Sequence, residues 1–284
     1  MCFQHTTTLI TWYRFQPQMA GRINMLSITP IPALRDNYIW HLNKGDEHWV
    51  VDPGEAAPVI QALKGDSLDG ILITHHHFDH TGGIAELRKH YHCPVYGPKA
   101  VKGVTNTITE GDSLQILGTS LRVWSIPGHT LDHLALILEG QGKNGTLQTH
   151  LFCGDTLFAA GCGRLFEGSP EQMYQSLQRL CTLPPATQIY CAHEYTLGNL
   201  NFAKSVEPDN PAVTQRLQEC QLLRTSGKPT LPSNIIRERE TNPFLRCDIP
   251  EVKQSGARHL GRNNPQSLSE VEVFSSLRDL KDHF

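Results

Sequence analysis

The sequence predicts a mixed α/β domain followed by a small, mainly helical domain. Short β patterns alternate with turns and a few helices up to about residue 195, and helix-capping patterns dominate after it. Strands mixed with helices, then mainly helices, favour two domains of different class. With 284 residues and 39% hydrophobic content, the chain can bury one large core and a smaller one.

The first 24 residues carry no acidic side chain and no regular periodicity. A secretory signal needs a continuous apolar stretch, which they lack, and their acid-poor, arginine-containing composition is weakly like that of an organelle transit peptide. We therefore predict a disordered extension at residues 1–24, an α/β domain at residues 25–195 and a helical domain at residues 196–284.

The α/β domain begins with strand patterns. Residues 37–42 and 48–51 predict neighbouring strands joined by a turn around Gly45. Residues 56–63 have apolar side chains at helical spacing, which predicts a helix there. Residues 70–73 are a short apolar run that predicts a buried strand.

The next ten residues, 74–83, form a segment that we call the histidine motif, which contains four imidazoles and a carboxylate. In an extended chain alternate side chains share a face, so His75 and His77 point one way and His76 the other. Imidazole nitrogen and carboxylate oxygen are ligands that zinc, iron and manganese accept. Because the motif follows a buried-strand pattern in mid-chain, it favours metal binding over an exposed, tag-like run.

Later elements are predicted from alternation and capping. Ser169, Pro170 and Gln172 form a capping-box pattern that opens a helix ending near Cys181. Further strands are predicted at residues 120–126, 134–138, 151–153 and 188–191.

The helical domain shows two clear helix patterns. One helix is predicted from Asn210 to about Gly227, and a capping box at Ser269 opens a last helix that ends near Lys281.

Three more candidate ligands each follow a predicted strand: His129, Asp155 and His193. Loops at strand ends are where a rigid sheet usually presents functional groups. Each residue alone would more often be a cap or turn residue, but three in order after the histidine motif favour one shared site.

This order of motifs resembles that of the metallo-β-lactamase superfamily. The matching segments are Thr74-His75-x-His77-x-Asp79-His80, Gly128-His129-Thr130, Gly154-Asp155 and His193. Residues 153–168, residues 191–196 and the ending Leu277-Arg278-x-x-Lys281-Asp282-x-Phe284 are similar to the hydroxyacylglutathione hydrolase (glyoxalase II) family. The resemblance covers residues 25–284 and implies an α+β fold, an αββα sandwich followed by a small C-terminal helical domain.

The resemblance also implies two divalent metal ions, zinc first, with iron or manganese as alternatives. The implied ligands are His75, His77 and His129 on the first ion, Asp79, His80 and His193 on the second, and Asp155 bridging both. Asp52 matches an acid that supports the site without binding metal, as a carboxylate that orients a ligand's other ring nitrogen does. A simple turn residue is an equally weighted reading of Asp52.

The implied activity is hydrolysis of S-(2-hydroxyacyl)glutathione, such as S-D-lactoylglutathione, to glutathione and D-lactate, in methylglyoxal detoxification. Metal coordination lowers the pKa of bound water towards about 7. The implied catalytic residues Asp79 and Asp155 would act with a metal-bridging hydroxide that attacks the carbonyl carbon. A thiolate, from a thiol with a pKa of about 8.5, leaves with little protonation. Hydrolysis of an amide would need a general acid for the leaving group, and this requirement argues against a lactamase activity.

Glutathione would be held by the last helix and by two loops. Arg278 and Lys281 share a helix face and would bind the glycyl carboxylate, although a solvated face is the usual role of such charges. The implied substrate-binding set is Arg164, Leu165, Phe166, His193, Glu194, Tyr195, Arg278 and Lys281. Some family members have lysine and tyrosine where this chain has Arg164 and Phe166, so a hydroxyl contact is absent at Phe166.

Composition excludes several classes of partner. A formal net charge of -3 implies no strongly basic face for nucleic acid, and no apolar run is long enough for a membrane span. The eight cysteines are scattered without a Cys-x-x-Cys pair, which favours free thiols in the cytoplasm. We expect a monomer whose partner is a small-molecule glutathione thioester.

Three alternatives remain open. A glutathione persulfide dioxygenase of the same superfamily needs one redox iron, and a second ligand set argues against it. A lactonase or β-lactamase is disfavoured by the helical tail. A non-catalytic metal scaffold is disfavoured because structural zinc sites are closed and usually cysteine-rich.

Overall fold

The computed structural model describes residues 25–141 and 146–284. The predicted extension at residues 1–24 lies outside the described residues. Two six-stranded sheets and a two-stranded hairpin organise the described part of the chain.

The first sheet follows chain order from edge to edge. Its strands are β1 (Ser27–Ala33), β2 (Asn37–Lys44), β3 (Glu47–Val51), β4 (Gly70–Leu72), β5 (Val95–Gly97) and β6 (Asn106–Thr107). The first three are antiparallel, and β3 to β6 are parallel. The predicted pairing of residues 37–42 with residues 48–51 is confirmed as β2 and β3.

The second sheet is antiparallel except at one pair. The remaining strands are β7 (Ser113–Ile116), β8 (Thr119–Ser125), β9 (Leu134–Gln141), β10 (Leu147–Gly154), β11 (Leu157–Phe158), β12 (Gly161–Cys162), β13 (Gln188–Cys191) and β14 (Ser233–Asn234). The sheet order is β14-β13-β10-β9-β8-β7, while β11 and β12 form the hairpin. Only β10 and β13 run parallel within this described sheet.

Helices cover the outer faces and form most of the C-terminal part. They are α1 (Ala57–Leu63), α2 (Phe78–Thr81), α3 (Ile84–Tyr91), α4 (Pro170–Cys181), α5 (Thr196–Val206), α6 (Pro211–Thr225), α7 (Ile235–Thr241), α8 (Pro250–His259) and α9 (Glu270–Asp282). The capping boxes predicted at Ser169 and Ser269 are both confirmed, and Asn210 caps α6 as predicted.

Alternating side chains divide the strands between two apolar cores. Leu72 packs into the core between the sheets with Leu136 and Phe152, whereas Ile71 packs outward with Val59 of α1. This alternation produces the four layers of an αββα sandwich. The predicted fold class is therefore confirmed.

The helical region is joined to the sandwich through the central core. Phe202, Phe244 and Phe274 belong to the same buried cluster as Phe152 of the second sheet. The two-residue strand β14, which pairs with β13, was not predicted because two residues show no alternation. Across residues 25–141 and 146–284, no helix is long and apolar enough to cross a membrane.

Candidate metal centre

The histidine motif leaves the first sheet at the end of β4. The strand does not continue into residues 73–77, and the chain bends at Thr74 and His75. His75 and His77 still reach a common point with His129, where their ligand atoms lie within 4.8 Å of one another. The ring of His76 turns elsewhere and contacts Asp132, with Nδ1 3.0 Å from Oδ1. The predicted separation of these three histidines is confirmed.

A second group is built by α2 and the loop after β13. Asp79, His80 and His193 place their ligand atoms within 4.8 Å of one another. Asp155, which follows β10, lies between the two groups. Its Oδ1 is 3.4 Å from Nε2 of His80 and of His193, and its Oδ2 is 3.5 Å from Nε2 of His129.

The chemistry of this cluster fits metal ions. In the described part of the chain, Nε2 of His75, Nε2 of His80 and Oδ1 of Asp155 are buried without a hydrogen-bond partner. Buried polar atoms are rarely left unpaired because desolvation costs about 1–3 kcal/mol each. Here they converge with other imidazole and carboxylate atoms, the donor set of zinc, iron and manganese. The cluster therefore suits a dinuclear metal site.

Asp52 connects the first strands to two of these imidazoles. Its Oδ1 accepts the Thr74 backbone N–H at 2.8 Å, and its Oδ2 accepts the Thr74 hydroxyl at 2.7 Å and Nδ1–H of His80 at 3.1 Å. The Thr74 hydroxyl lies 3.1 Å from Nδ1 of His75 and accepts from it, because its proton is already donated. Asp52 thus directs Nε2 of both histidines towards the cluster.

Other outer contacts were not foreseen from the sequence. Nδ1 of His193 donates to Asp36 at 2.8 Å, and the Asn37 amide donates to Asp79 at 3.0 Å. Nδ1 of His129 donates to the Arg164 carbonyl at 2.8 Å. Asp36 and His193 are 157 positions apart, so no local pattern could have paired them.

His133, for which the sequence indicated no role, is fully buried behind the cluster. Its ring stacks on His75 at a centroid distance of 4.5 Å, and its Nε2 accepts the Asp155 backbone N–H at 3.1 Å. Burial lowers the pKa of His133 to about 3. The neutral ring therefore acts as a fixed acceptor that orients Asp155.

The carboxylates set the electrostatics of the cluster. Burial acts to lower the pKa of His193, but contacts with Asp155 and Asp79 outweigh it and raise the pKa to about 10. The pKa of His80 is raised for the same reason, chiefly by Asp155. In contrast, burial holds the pKa of His75 well below its usual value. Positive charge is thus favoured between the carboxylates, as a cation site requires.

Glycines allow the loops to approach each other closely. Gly154 has φ 45°, and a Cβ there would lie 2.4 Å from the Thr74 hydroxyl oxygen. A Cβ on Gly163 would lie 2.0 Å from the Asp155 carbonyl oxygen. The second glycine lets the loop carrying Arg164 and Phe166 pass directly over Asp155.

A cleft of about 710 Å³ opens beside the cluster between the sandwich and α9. Its walls include His129, Asp155, Phe158, Arg164, Phe166, Glu194, Tyr195, Arg278, Lys281 and Asp282. Six of the eight predicted substrate-binding residues line this cavity. The other two are Leu165, which packs partly buried against the central core, and His193, which belongs to the metal cluster.

Arg278 is not part of a solvated helix face, since only 6% of it is exposed. It donates to the Cys162 carbonyl at 2.9 Å, and its guanidinium lies over the Phe244 ring at 5.1 Å. Lys281 packs between Phe202 and Phe284, each ring centroid 5.1 Å from Nζ. A buried cation at a cleft wall is expected to attract an anionic ligand.

Aromatic side chains lie along the path from the cleft to the cluster. The Tyr195 ring stacks on His193 at a centroid distance of 4.7 Å. The exposed Phe166 ring lies nearly perpendicular to the rings of His77 and His129, at centroid distances of 5.5 and 5.2 Å. The Glu194 carboxylate is engaged by the Tyr38 hydroxyl and the Thr230 backbone, each at 2.9 Å.

The described cysteines are all free thiols, as predicted. Cys153 and Cys191 are buried in the core behind the cluster, and burial raises the pKa of both. They pack as neutral thiols.

Comparison with known proteins agrees with this architecture. The metallo-beta-lactamase superfamily model matches residues 35–193. A crystal structure of ETHE1 from Myxococcus xanthus has the same fold, with a TM-score of 0.60 and 20% identity over 90% of this chain and 91% of that one. The fold and the site define a protein of the metallo-β-lactamase superfamily.

The C-terminal part narrows the relationship. Residues 194–284 match the model for the hydroxyacylglutathione hydrolase C-terminus. Hydroxyacylglutathione hydrolase from Alkalilimnicola ehrlichii is 50% identical over 91% of this chain and 99% of its own length. The protein of that name from Nitrosomonas europaea is 46% identical over 92% of this chain and 97% of its own length. The chain therefore belongs to the hydroxyacylglutathione hydrolase family.

Proposed function

We propose that this protein hydrolyses the thioester of S-(2-hydroxyacyl)glutathione, such as S-D-lactoylglutathione, to glutathione and D-lactate, and so contributes to methylglyoxal detoxification. The observation that carries the proposal is the convergence of seven His and Asp side chains beside a cleft with a buried cation, in a chain of this family. A cleft of about 710 Å³ is large enough for a tripeptide thioester.

The proposed metal ligands are the seven side chains of the two groups. His75, His77 and His129 would hold one ion, Asp79, His80 and His193 the other, and Asp155 both. When bound, the ions, zinc first and iron or manganese otherwise, supply Lewis-acid polarisation of the carbonyl oxygen and hydroxide at neutral pH.

The chain's own residues keep these ligands ready. Asp52 holds the ring protons of His80 and, through Thr74, of His75 on Nδ1, which leaves each Nε2 free to bind. Asp36 does the same for His193. These contacts support Asp52 as an orienting acid. Asp52 also has a φ of 53°, which is compatible with its interpretation as a turn residue.

Glutathione would bind along the cleft away from the cluster. Arg278 and Lys281 would hold the glycyl carboxylate, with Arg164 beside them. Tyr195 would offer its hydroxyl, and the backbone of residues 164–166 would contact the peptide. The thiolate leaves without a general acid because its own pKa is about 8.5.

The proposal extends to organisation and setting. Residues 25–195 would form the catalytic domain and residues 196–284 the substrate-binding domain, in a cytoplasmic monomer. A second full ligand group argues against a persulfide dioxygenase, which needs one iron.

The test combines metal analysis with thioester hydrolysis by wild type and Arg278→Ala. We expect about two metal ions per chain and, for the variant, a KM raised about tenfold with little change in kcat, since one charge-assisted contact is lost. Lys281→Ala, at a less buried position, should act in the same direction, whereas Arg122→Ala on β8 is the matched control.

The possible failures are separable. An unchanged KM for Arg278→Ala would remove Arg278 from the substrate site. No thioester turnover by the metal-loaded wild type would overturn the proposed function, and oxygen uptake with glutathione persulfide would favour the dioxygenase.

A further inference from the structure

Asp282, at the end of α9, joins the two arginines of the cleft. Its Oδ1 accepts from the Arg278 guanidinium at 2.9 Å and lies 3.4 Å from Nε of Arg164. The first arginine is buried on the helix, whereas the second is on a loop with 64% of its side chain exposed. One carboxylate oxygen therefore links a buried cation to an exposed one.

The Asp282 carboxylate differs from the other acids of the cleft wall in its cationic surroundings. Three cations share this end of the cleft, and the pKa of Lys281 is lowered first by burial and then by the charges of Arg278 and Arg164. Of the other acids on its wall, Asp155 belongs to the metal cluster and Glu194 is engaged by Tyr38 and Thr230.

The contact with Asp282 leaves most donors of the exposed Arg164 guanidinium available. Each guanidinium offers five N–H groups in a rigid fork. Asp282 faces the Nε side of Arg164 and accepts from Nη2 of Arg278. Nη1 of Arg278 donates to the carbonyl and Sγ of Cys162, and its Nε is buried without a hydrogen-bond partner among the described residues. Fixing both forks in the free protein removes part of the ordering entropy that ligand binding would otherwise cost.

We propose that Asp282 is a positioning residue that holds Arg164 and Arg278 in one arrangement and thereby makes the cleft selective for ligands with a free terminal carboxylate. This inference rests on the proposed function, because it assigns the carboxylate of a glutathione derivative to these cations. It predicts that the loss of Asp282 weakens recognition of that carboxylate specifically.

The test is equilibrium binding, by calorimetry, of S-methylglutathione and its glycyl methyl ester to metal-loaded protein. Wild type should bind the acid more tightly than the ester. In Asp282→Asn this preference should fall about fivefold or more, the effect of one misaligned charge-assisted contact. Asp279→Asn is the matched control on the same helix, because Asp279 is 60% exposed and bonds to His259.

A second variant covers the case in which Asp282→Asn does not fold. Arg164→Ala alters an exposed side chain and should reduce the same preference. In kinetic assays both variants should raise KM for the thioester and leave kcat nearly unchanged.

Three results would overturn the inference: no acid preference in wild type, equal weakening of acid and ester, or a preference that grows because Asp282 competes with the ligand. Failure of the proposed function is distinguishable, because it would appear as absent thioester turnover while the acid preference still depends on Asp282.

Discussion

Asp52→Asn is the sharpest test of how the fold prepares its metal ligands. The substitution keeps the shape of a side chain that is only 4% exposed but replaces an acceptor with an amide N–H₂. That amide would donate to Nδ1 of His80 at the present 3.1 Å position. The His80 ring proton would then move to Nε2, the atom that faces Asp155 and the second group.

The expected loss of metal affinity follows from this exchange of a carboxylate for an amide. Loss of a carboxylate that orients a ligand histidine costs about 10–100-fold in metal affinity, or about 1.4–2.7 kcal/mol. The second ion should be weakened more than the first, because His80 contacts Asp52 directly, whereas His75 is linked to Asp52 only through the Thr74 hydroxyl. Competition against a chromophoric chelator should resolve two weakened sites, with the larger loss of affinity at the site that contains His80.

The control is Asp69→Asn, another aspartate that accepts a backbone N–H, from His48 at 2.7 Å, on the first sheet. Its chelator titration should match wild type. Far-UV circular dichroism of both metal-free variants checks that the fold persists. An unaltered titration for Asp52→Asn would refute the reasoning and leave Asp52 as a turn residue.

Three further predictions concern stability and loop approach. The pKa of His193 is about 10 in the metal-free fold and 6.5 when unfolded. Its contribution to the free energy of unfolding is therefore complete below pH 6.5 and is lost as pH rises towards 10. Calorimetry of chelator-treated protein should show Tm falling over this window, and metal-loaded protein should show a smaller fall. Gly163→Ala would place a Cβ 2.0 Å from the Asp155 carbonyl oxygen. Displacement of this loop by about 1 Å should lower thioester turnover about 10²-fold. Gly256→Ala, whose added Cβ would make ordinary contacts of 3.5 Å or more, should leave turnover intact. Ser269→Ala removes the cap of α9 and should lower the free energy of unfolding by about 1 kcal/mol in urea titrations, with KM unchanged.

Local chemistry explains which elements were predictable. The capping boxes at Ser169 and Ser269 and the cap at Asn210 are each formed within three residues, so the sequence shows them directly. Helices α5, α7 and α8 lack an equally clear pattern and were not predicted individually. Short strands such as β5, β6 and β14 are defined by their neighbours in the sheet and have little pattern of their own.

The ligand types and the order of the motifs were already present in the sequence. Alternation in an extended segment predicted that His75 and His77 point away from His76. The three side chains separate in this way although the chain has already left the strand at these residues. The class of chemistry followed from residue type, since imidazole and carboxylate accept the same few metals.

Only the tertiary structure decided how these groups are supported. Asp36 meets His193, Asp52 meets His80, and Arg278 is buried against Cys162, at separations of 157, 28 and 116 positions. Such contacts arise when the sheets and the helical region pack against each other, and their partners share no local spacing. The amino-acid order therefore determined which chemistry is available, and packing determined which donors are oriented, which cations are buried and where a substrate fits.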